Sequence, residues 1–353
     1  MDRVSLPLHG RGASANPANR FEPLHYAGEG DDLGEDDPAP RTQFFKDSTR
    51  SIIATNDSPD VGFDASINPY RGCEHGCCYC YARPYHEYLG LSAGLDFESK
   101  IFVKEDAPEL LRRELSSPRW QPQPLGICGV TDAYQPIERH LQITRRCLEV
   151  LADFRNPAVT VTKSHTVTRD IDYLSELARH RAALVLLGIT TLDASLAEVM
   201  EPRATRPEGR LAAIAELTRA GIPAGVLVAP VIPGLTDHEM PAILAAARKA
   251  GAVCAGFGML RLPYGVKDLF TEWLEQHFPD RKDKVLGRIR AIRGGKLNDS
   301  SFKTRMRGEG LFANMVKQMF DVAKAKEKFP GKPKLSTAAF RRPNETPTSL
   351  FGD

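Results

Sequence analysis

Short segments that are apolar at nearly every position, set between longer segments with helical spacing, narrow the fold more than any other feature of this chain. The run ALVLLGI at 183–189 shows no alternation of polar and apolar residues, as expected of a strand covered on both faces and not of a hairpin with one wet face. Candidate strands fall at 65–68, 100–103, 125–130, 158–162, 184–190, 225–228 and 254–260. Between them Ile143, Cys147, Val150 and Phe154 recur at steps of four, three and four, and Ile171, Leu174 and Leu177 at steps of three, so each segment can lay one stripe on a sheet. Strands alternating with helices specify an α/β fold built from β/α units around a parallel sheet, a β/α barrel that is complete or partial.

In such a barrel the chemistry gathers at the C-terminal strand ends. Polar residues stand there: Thr131 and Asp132, Lys163 and Ser164, Thr190 and Thr191, Asp193, and Arg261. The stretch PVIPG at 230–234 supplies a stiff turn, with Pro230 and Pro233 fixing φ and Gly234 permitting close backbone approach.

A chain of 353 residues, 42% of them apolar, can bury one sizeable core with appendages, and that core is expected over 51–265. Residues 1 to about 50 carry the acidic stretch Glu29 to Asp37 and little apolar periodicity, a composition that predicts disorder. Residues 266–330 read as a basic, mostly helical segment. The remaining 331–353 form an extended tail that Phe340, Leu350 and Phe351 can pin to the body. No signal-peptide core opens the chain, and the longest apolar run, 182–189, is too short to cross a bilayer. A soluble, cytoplasmic protein with no membrane partner is the expectation.

Seven cysteines, four of them between Cys73 and Cys80, do not make the framework of a secreted disulfide protein. Within NPYRGCEHGCCYCYAR, Cys73, Cys77 and Cys80 form CxxxCxxC. Three thiolates can hold three irons of a four-iron cluster, leaving the fourth without a protein ligand. That corner can accept the amino and carboxylate groups of S-adenosylmethionine (SAM), whose C–S bond one electron then cleaves to give a 5'-deoxyadenosyl radical; the cofactor carries the hard chemistry. Gly72 and Gly76 suit a loop that must wrap a cluster. Cys78 reads as a bystander, because choosing it over Cys77 gives CxxxxC and CxC spacing. Two alternatives remain open: a structural zinc site with His75 or His86 as fourth ligand, and a disulfide.

CxxxCxxC with an aromatic residue before the last cysteine, opening a β/α barrel, resembles the radical SAM superfamily. More narrowly, NPYRGCEHGCCYCYAR, KIFVK, GVTDAYQPIE, VTKS, LGITTLD, EPRATRPEGR and PVIPG resemble the branch that includes spore photoproduct lyase, from about Ile67 to about Gly265. RIRAIRGGKLNDSSFKTRMRGEG looks like a subgroup of uncharacterised bacterial members. The resemblance implies a partial (β/α)6 TIM-type barrel, a 4Fe-4S cluster on Cys73, Cys77 and Cys80, SAM, and an external electron donor of flavodoxin or ferredoxin type. It also implies that Tyr79 flanks the SAM adenine, that Thr131 and Asp132 meet SAM polar groups, and that Lys163 faces the SAM carboxylate, with Ser164 and Thr190 at neighbouring strand ends. An ammonium facing a carboxylate where water is scarce is physically sound. In the branch's namesake a cysteine near the third strand end returns a hydrogen atom to the substrate radical. Here Gly129 takes that place and Cys128 stands one residue earlier, which points a strand side chain to the opposite face. Cys128 and Tyr134 are the hydrogen-donor candidates, each also readable as a packing residue.

The whole-chain balance of 47 basic and 45 acidic residues announces no partner. Residues 281–307 are locally basic, with ten Lys or Arg against two acidic residues, a pattern that can attract a phosphate backbone or form an ordinary solvated face. No aromatic stacking set is visible in the sequence. The leading expectation is radical modification or repair of a nucleic acid. Radical modification of a peptide, protein or small metabolite, and a non-catalytic iron-sulfur redox or regulatory protein, are the alternatives.

Overall fold

The computed structural model describes residues 7–22, 40–127 and 129–343. Ten strands are present in it: β1 (Gln43–Lys46), β2 (Ile53–Thr55), β3 (Ala65–Ile67), β4 (Tyr70–Arg71), β5 (Lys100–Val103), β6 (Leu125–Ile127), β7 (Ala158–Thr162), β8 (Ala183–Gly188), β9 (Ala224–Val231) and β10 (Cys254–Met259). The main sheet has the order β10-β9-β8-β7-β6-β3-β2. All its neighbours from β3 to β10 run parallel, and β2 is added antiparallel at the β3 edge. Six parallel strands in sequential order, each reached through a helical crossover, form the partial barrel. The run at 183–189 reads without alternation because Val185, Leu187 and Ile189 are 0% exposed and Ala183 and Leu184 1%. The barrel and its surrounding helices share one continuous apolar core.

The helices behave as their spacing requires. Ile143–Phe154 buries Ile143, Cys147, Leu148, Leu151 and Phe154, and Ile171–Arg179 buries Leu174 and Leu177. Beyond β10, helices Val266–His277 and Pro279–Ala291 pack Phe270, Trp273, Val285 and Ile289 into a second apolar cluster that also contains Cys77, Cys78 and Tyr79. This cluster lies directly under the cysteine loop.

Two expectations are corrected here. The strand at 100–103 is real but stands outside the barrel, in a three-stranded sheet of order β1-β5-β4. Nor does disorder extend over all of residues 1 to about 50. Residues 43–46 pair in parallel with 100–103, with Phe45 stacked on Phe102 at 5.2 Å. Residues 7–22 lie along the body through polar tethers: Gly12 N donates to Glu98 Oε2 (3.0 Å), Ser14 Oγ bonds Gln276 (3.0 Å), Asp96 N donates to Asn16 Oδ1 (2.9 Å) and Asn19 Nδ2 donates to Leu91 O (2.8 Å). Such tethers leave no apolar period to read. The acidic stretch itself lies outside the described residues, as do Leu350 and Phe351. In the tail, Phe340 does approach Phe154, at 6.2 Å between ring centroids. Among the described residues no helix is long and apolar enough to cross a membrane.

Candidate functional site

The loop leaving β3 passes through β4 and carries Cys73, Cys77, Cys78 and Cys80, all free thiols. Neighbouring backbone fixes its path: Cys73 N donates to Phe97 O (2.9 Å) and Cys78 N to Met200 O (3.0 Å). Gly72 and Gly76 adopt φ of +79° and +66°, a region that disfavours a side chain. Beneath the loop, fully buried Arg83 donates from Nε and Nη2 to Cys77 O (3.1 and 2.9 Å), and its charge is met by buried Glu98. Cys78 is 1% exposed within the apolar cluster, consistent with packing.

Burial pushes the thiols of Cys73, Cys77 and Cys80 up. Cys77 reaches about 12 even though Lys163 pulls it down. Three sulfurs placed where the thiolate is costly need a cationic centre to become ligands, and this donor set fits a cluster held by three cysteines. Both histidines raised as a fourth zinc ligand have one ring nitrogen engaged. His75 Nδ1 lies 3.3 Å from Asp132 Oδ2. His86 Nε2 is 3.0 Å from Lys100 O, its ring packs edge-on to Phe97 and Phe102, and burial lowers it to about 4. Among the described residues no three His, Cys, Asp or Glu side chains are arranged to hold a single metal ion.

Asp132, in the loop after β6, joins the cysteine loop to the barrel. Its Oδ1 accepts from Thr162 Oγ1 (2.7 Å) and Tyr134 N (2.9 Å), and its Oδ2 from Lys163 N (2.8 Å), with His75 alongside. Burial opposes its ionisation, but His75 and the donors from Lys163 and Thr162 prevail and hold the carboxyl below the usual range. Lys163, following β7, makes no hydrogen bond or ion pair with its ammonium among the described residues; its Nζ stands 5.8 Å from the Tyr79 ring centroid. Burial disfavours its charge, yet Cys77 and Glu201 together raise its pKa. At Gly188, on the adjacent β8, a Cβ would come within 3.2 Å of Lys163 Cγ.

On the far side, the Tyr79 hydroxyl donates to Glu201 and lies 3.2 Å from Thr190 Oγ1, which itself donates to Glu201 Oε1 (2.8 Å). Glu201 is paired with buried Arg210, whose Nη1 donates to Gly188 O (2.9 Å). Tyr79, Lys163 and Thr190 are thus brought together from the loop, β7 and β8.

Other candidates stand apart. Thr131 Oγ1 is 3.4 Å from Tyr70 O, and Ser164 Oγ caps the turn His165–Asp170 by accepting from Thr166 N (3.3 Å). Tyr134 is 1% exposed and commits its hydroxyl to Asp170 Oδ2 (3.0 Å), whose carboxylate also pairs with Arg169. Cys128 lies outside the described residues. Sequence reasoning gave no role to Glu201, Arg210, Arg83 or Glu98. For the first pair the signal was present in EPRATRPEGR, whose first and last residues they are. Residues 281–307 do not present an unbroken cationic face, because Arg288 meets Asp237 (3.4 Å), Arg305 meets Asp60 (2.6 Å) and Lys282 meets Glu275. Arg293, 5% exposed, turns inward to the carbonyls of Leu260 (2.7 Å), Thr304 (2.6 Å) and Arg305 (2.8 Å).

Residues 67–247 match the Radical SAM superfamily. An uncharacterised protein of Mycobacterium tuberculosis is 33% identical over 220 residues, which are 62% of this chain and 65% of that relative. The chain therefore spans somewhat under two thirds of that relative's length. An uncharacterised protein of Methanocaldococcus jannaschii is 29% identical over 214 residues, 61% of this chain and 76% of the relative. Spore photoproduct lyase complexed with dinucleoside spore photoproduct superposes with a TM-score of 0.58 at 16% identity, over 82% of this chain and 80% of that one. At that identity the likeness is one of fold.

Proposed function

Because this chain belongs to the radical SAM superfamily, we propose that it is an enzyme that cleaves SAM reductively at a cluster held by Cys73, Cys77 and Cys80, and that it acts on a nucleic acid. The observation that carries the reading is the set of three free thiols on the loop after the first barrel strand, with the Lys163 ammonium beside Cys77 and without a hydrogen-bond or ion-pair partner among the described residues. When bound, a four-iron cluster supplies one electron to the sulfonium of SAM and sets free a 5'-deoxyadenosyl radical.

The chain's own residues bind and position. Lys163 offers its ammonium to the SAM carboxylate, and Gly188 leaves the space its stem needs. Tyr79 is anchored by its hydroxyl to Glu201 and Thr190, so its ring is held in one orientation as a wall for the adenine. Asp132 ties the cysteine loop to the ends of β6 and β7. Of the hydrogen-donor candidates, Tyr134 has its hydroxyl hydrogen-bonded to Asp170. An external one-electron donor of flavodoxin or ferredoxin type completes the cycle.

Support for the substrate class comes from the shared fold: the lyase that superposes on this chain is complexed with a dinucleoside photoproduct. Anaerobic reconstitution should load about four irons per chain, and dithionite with SAM should then release 5'-deoxyadenosine. Tetrahedral zinc in place of iron, or an intact cluster that yields no 5'-deoxyadenosine, would sink the reading. Deuterium passing from a labelled oligonucleotide into 5'-deoxyadenosine is the expected sign of a nucleic-acid substrate.

A further inference from the structure

The residue after the last cluster cysteine, Tyr81, is exposed, and its hydroxyl donates to Gly129 O (2.5 Å) at the end of β6. From this ring a continuous strip of aromatic and guanidinium groups runs outward. In one direction Arg261, just beyond β10, lies 4.9 Å from the Tyr81 ring centroid, and past it Arg305 packs 4.5 Å from Phe302. In the other, Tyr85, near enough to Arg261 to act on its charge, lies 6.4 Å from Tyr88, and Tyr88 stacks on Phe21 at 4.9 Å. There Arg20 covers the Phe21 ring (4.9 Å) and the Tyr264 ring (3.6 Å).

The rings come from four separate parts of the chain: 21, 81–88, 264 and 302. That is why no stacking set is legible in the sequence. Tyr85, Tyr88 and Tyr264 are 54%, 68% and 60% exposed, and Phe21 and Phe302 53% and 50%. Exposed aromatic surface on this scale, placed at a barrel mouth, marks an interaction face.

The composition of the strip selects its occupant. It holds planar rings and guanidinium groups, while the exposed aliphatic residues Leu311, Met315 and Val322 sit together on helix Gly310–Lys326. Rings interleaved with arginine match base faces and phosphates. A duplex keeps its base faces in its own stack and offers nothing to such rings, whereas a single strand exposes them. Arg20 and Arg305 are paired with Glu87 and Asp60 at 2.6 Å each, so they chiefly shape the rings around them. Arg261 has no carboxylate partner among the described residues, and its buried Nε has no hydrogen-bond partner there.

We propose that this strip is a docking face for single-stranded nucleic acid, whose bases stack on Tyr85 and Tyr88, the latter backed by Phe21, while a phosphate meets Arg261, delivering an unpaired nucleotide to the barrel mouth. The inference rests on the nucleic-acid reading given above and centres it on Tyr85, Tyr88 and Arg261, with Phe302 and Arg305 the strip's only members from the basic segment 281–307. Binding here is tolerant of base identity, because every base has a face to stack.

The test uses cluster-loaded protein and fluorescence anisotropy with a short oligouridylate, a short oligothymidylate and a duplex of equal length. Single strands should bind more tightly than duplex. Tyr85→Ala with Tyr88→Ala should weaken single-strand binding by roughly tenfold for each ring removed, with iron content and SAM cleavage retained. Tyr85→Phe with Tyr88→Phe keeps the ring faces and should bind as the parent does. Arg261→Gln should lower the salt dependence by about one phosphate contact, a readout that does not depend on how the tyrosine variants fold. Single-strand binding unchanged in both the alanine pair and Arg261→Gln, or duplex bound as tightly as single strand, overturns the strip and leaves the nucleic-acid reading standing. No binding of any oligonucleotide overturns both, while release of 5'-deoxyadenosine would still stand for the radical chemistry.

Discussion

Glu201 is the residue on which Tyr79, Thr190 and Arg210 converge. It is fully buried, and burial opposes its charge, but Arg210 and then Lys163 outweigh that and hold its carboxyl at about 2 against an ordinary 4.5. A carboxylate whose folded value is depressed stabilises the fold fully above its unfolded value and loses that contribution as pH falls towards its folded one. Denaturant midpoints of the wild type should therefore decline between about pH 4.5 and pH 2 more steeply than those of Glu201→Gln. Arg210→Met strands the carboxylate without its partner, and a loss of about 3–5 kcal/mol in a denaturation experiment is expected, much of it recovered when Glu201→Gln is added. Lys163→Gln should leave iron content unchanged and weaken SAM by roughly tenfold or more, as a charge-assisted contact in a water-poor site is lost; equilibrium dialysis of reconstituted protein measures it. At this scale the three cysteines were legible in sequence because they come from one short loop, where spacing is geometry. Glu201 and Arg210 were not, since a charged residue reads as solvated until the fold shows that it is buried.

Among the elements, the N-terminal segment 7–22 reaches the cysteine loop directly. Gly12 lies against the cysteine loop so closely that a Cβ there would come within 1.6 Å of Gly76 O. Its N–H also satisfies the Glu98 carboxylate that partners Arg83 beneath Cys77. Gly12→Ala must push the segment away, because the atom it meets is backbone. Faster amide exchange across 7–22 and a lower iron content after anaerobic reconstitution are the expected outcomes; unchanged exchange would show that the segment does not brace the loop. The helices of the barrel were readable from their period of 3.6, and the strands from unbroken apolar runs. Segment 7–22 was not, because its order comes from Asn and Ser side chains and backbone N–H groups bonded to residues some 70 to 260 positions away. Strand β5 was recognised as a strand, yet its membership of the smaller sheet depends on β1, which local pattern cannot assign.

For the whole molecule, the open flank between β2–β3 and β10 is the decisive feature. The segment after helix Pro279–Ala291 bridges it: Arg305 Nε pairs with Asp60 (2.6 Å), Lys303 N donates to Asp60 Oδ1 (2.8 Å), and Phe320 packs on Phe257 of β10 at 4.6 Å. Phe320→Ala opens that contact and should cost about 3 kcal/mol in denaturant unfolding. The same bridging accounts for the basic run 281–307, several of whose charges hold the chain to itself. Sequence alone determined the alternating α/β architecture, the residues of the buried strands and the grouping of three thiols on one loop, because each depends on local period or on spacing within one loop. Tertiary structure alone decided which charges are buried pairs, that the N-terminal segment braces the cysteine loop, and that rings from four distant segments form one strip at the mouth. Those depend on which surfaces meet when the sheet curls, and one-dimensional spacing carries no record of that.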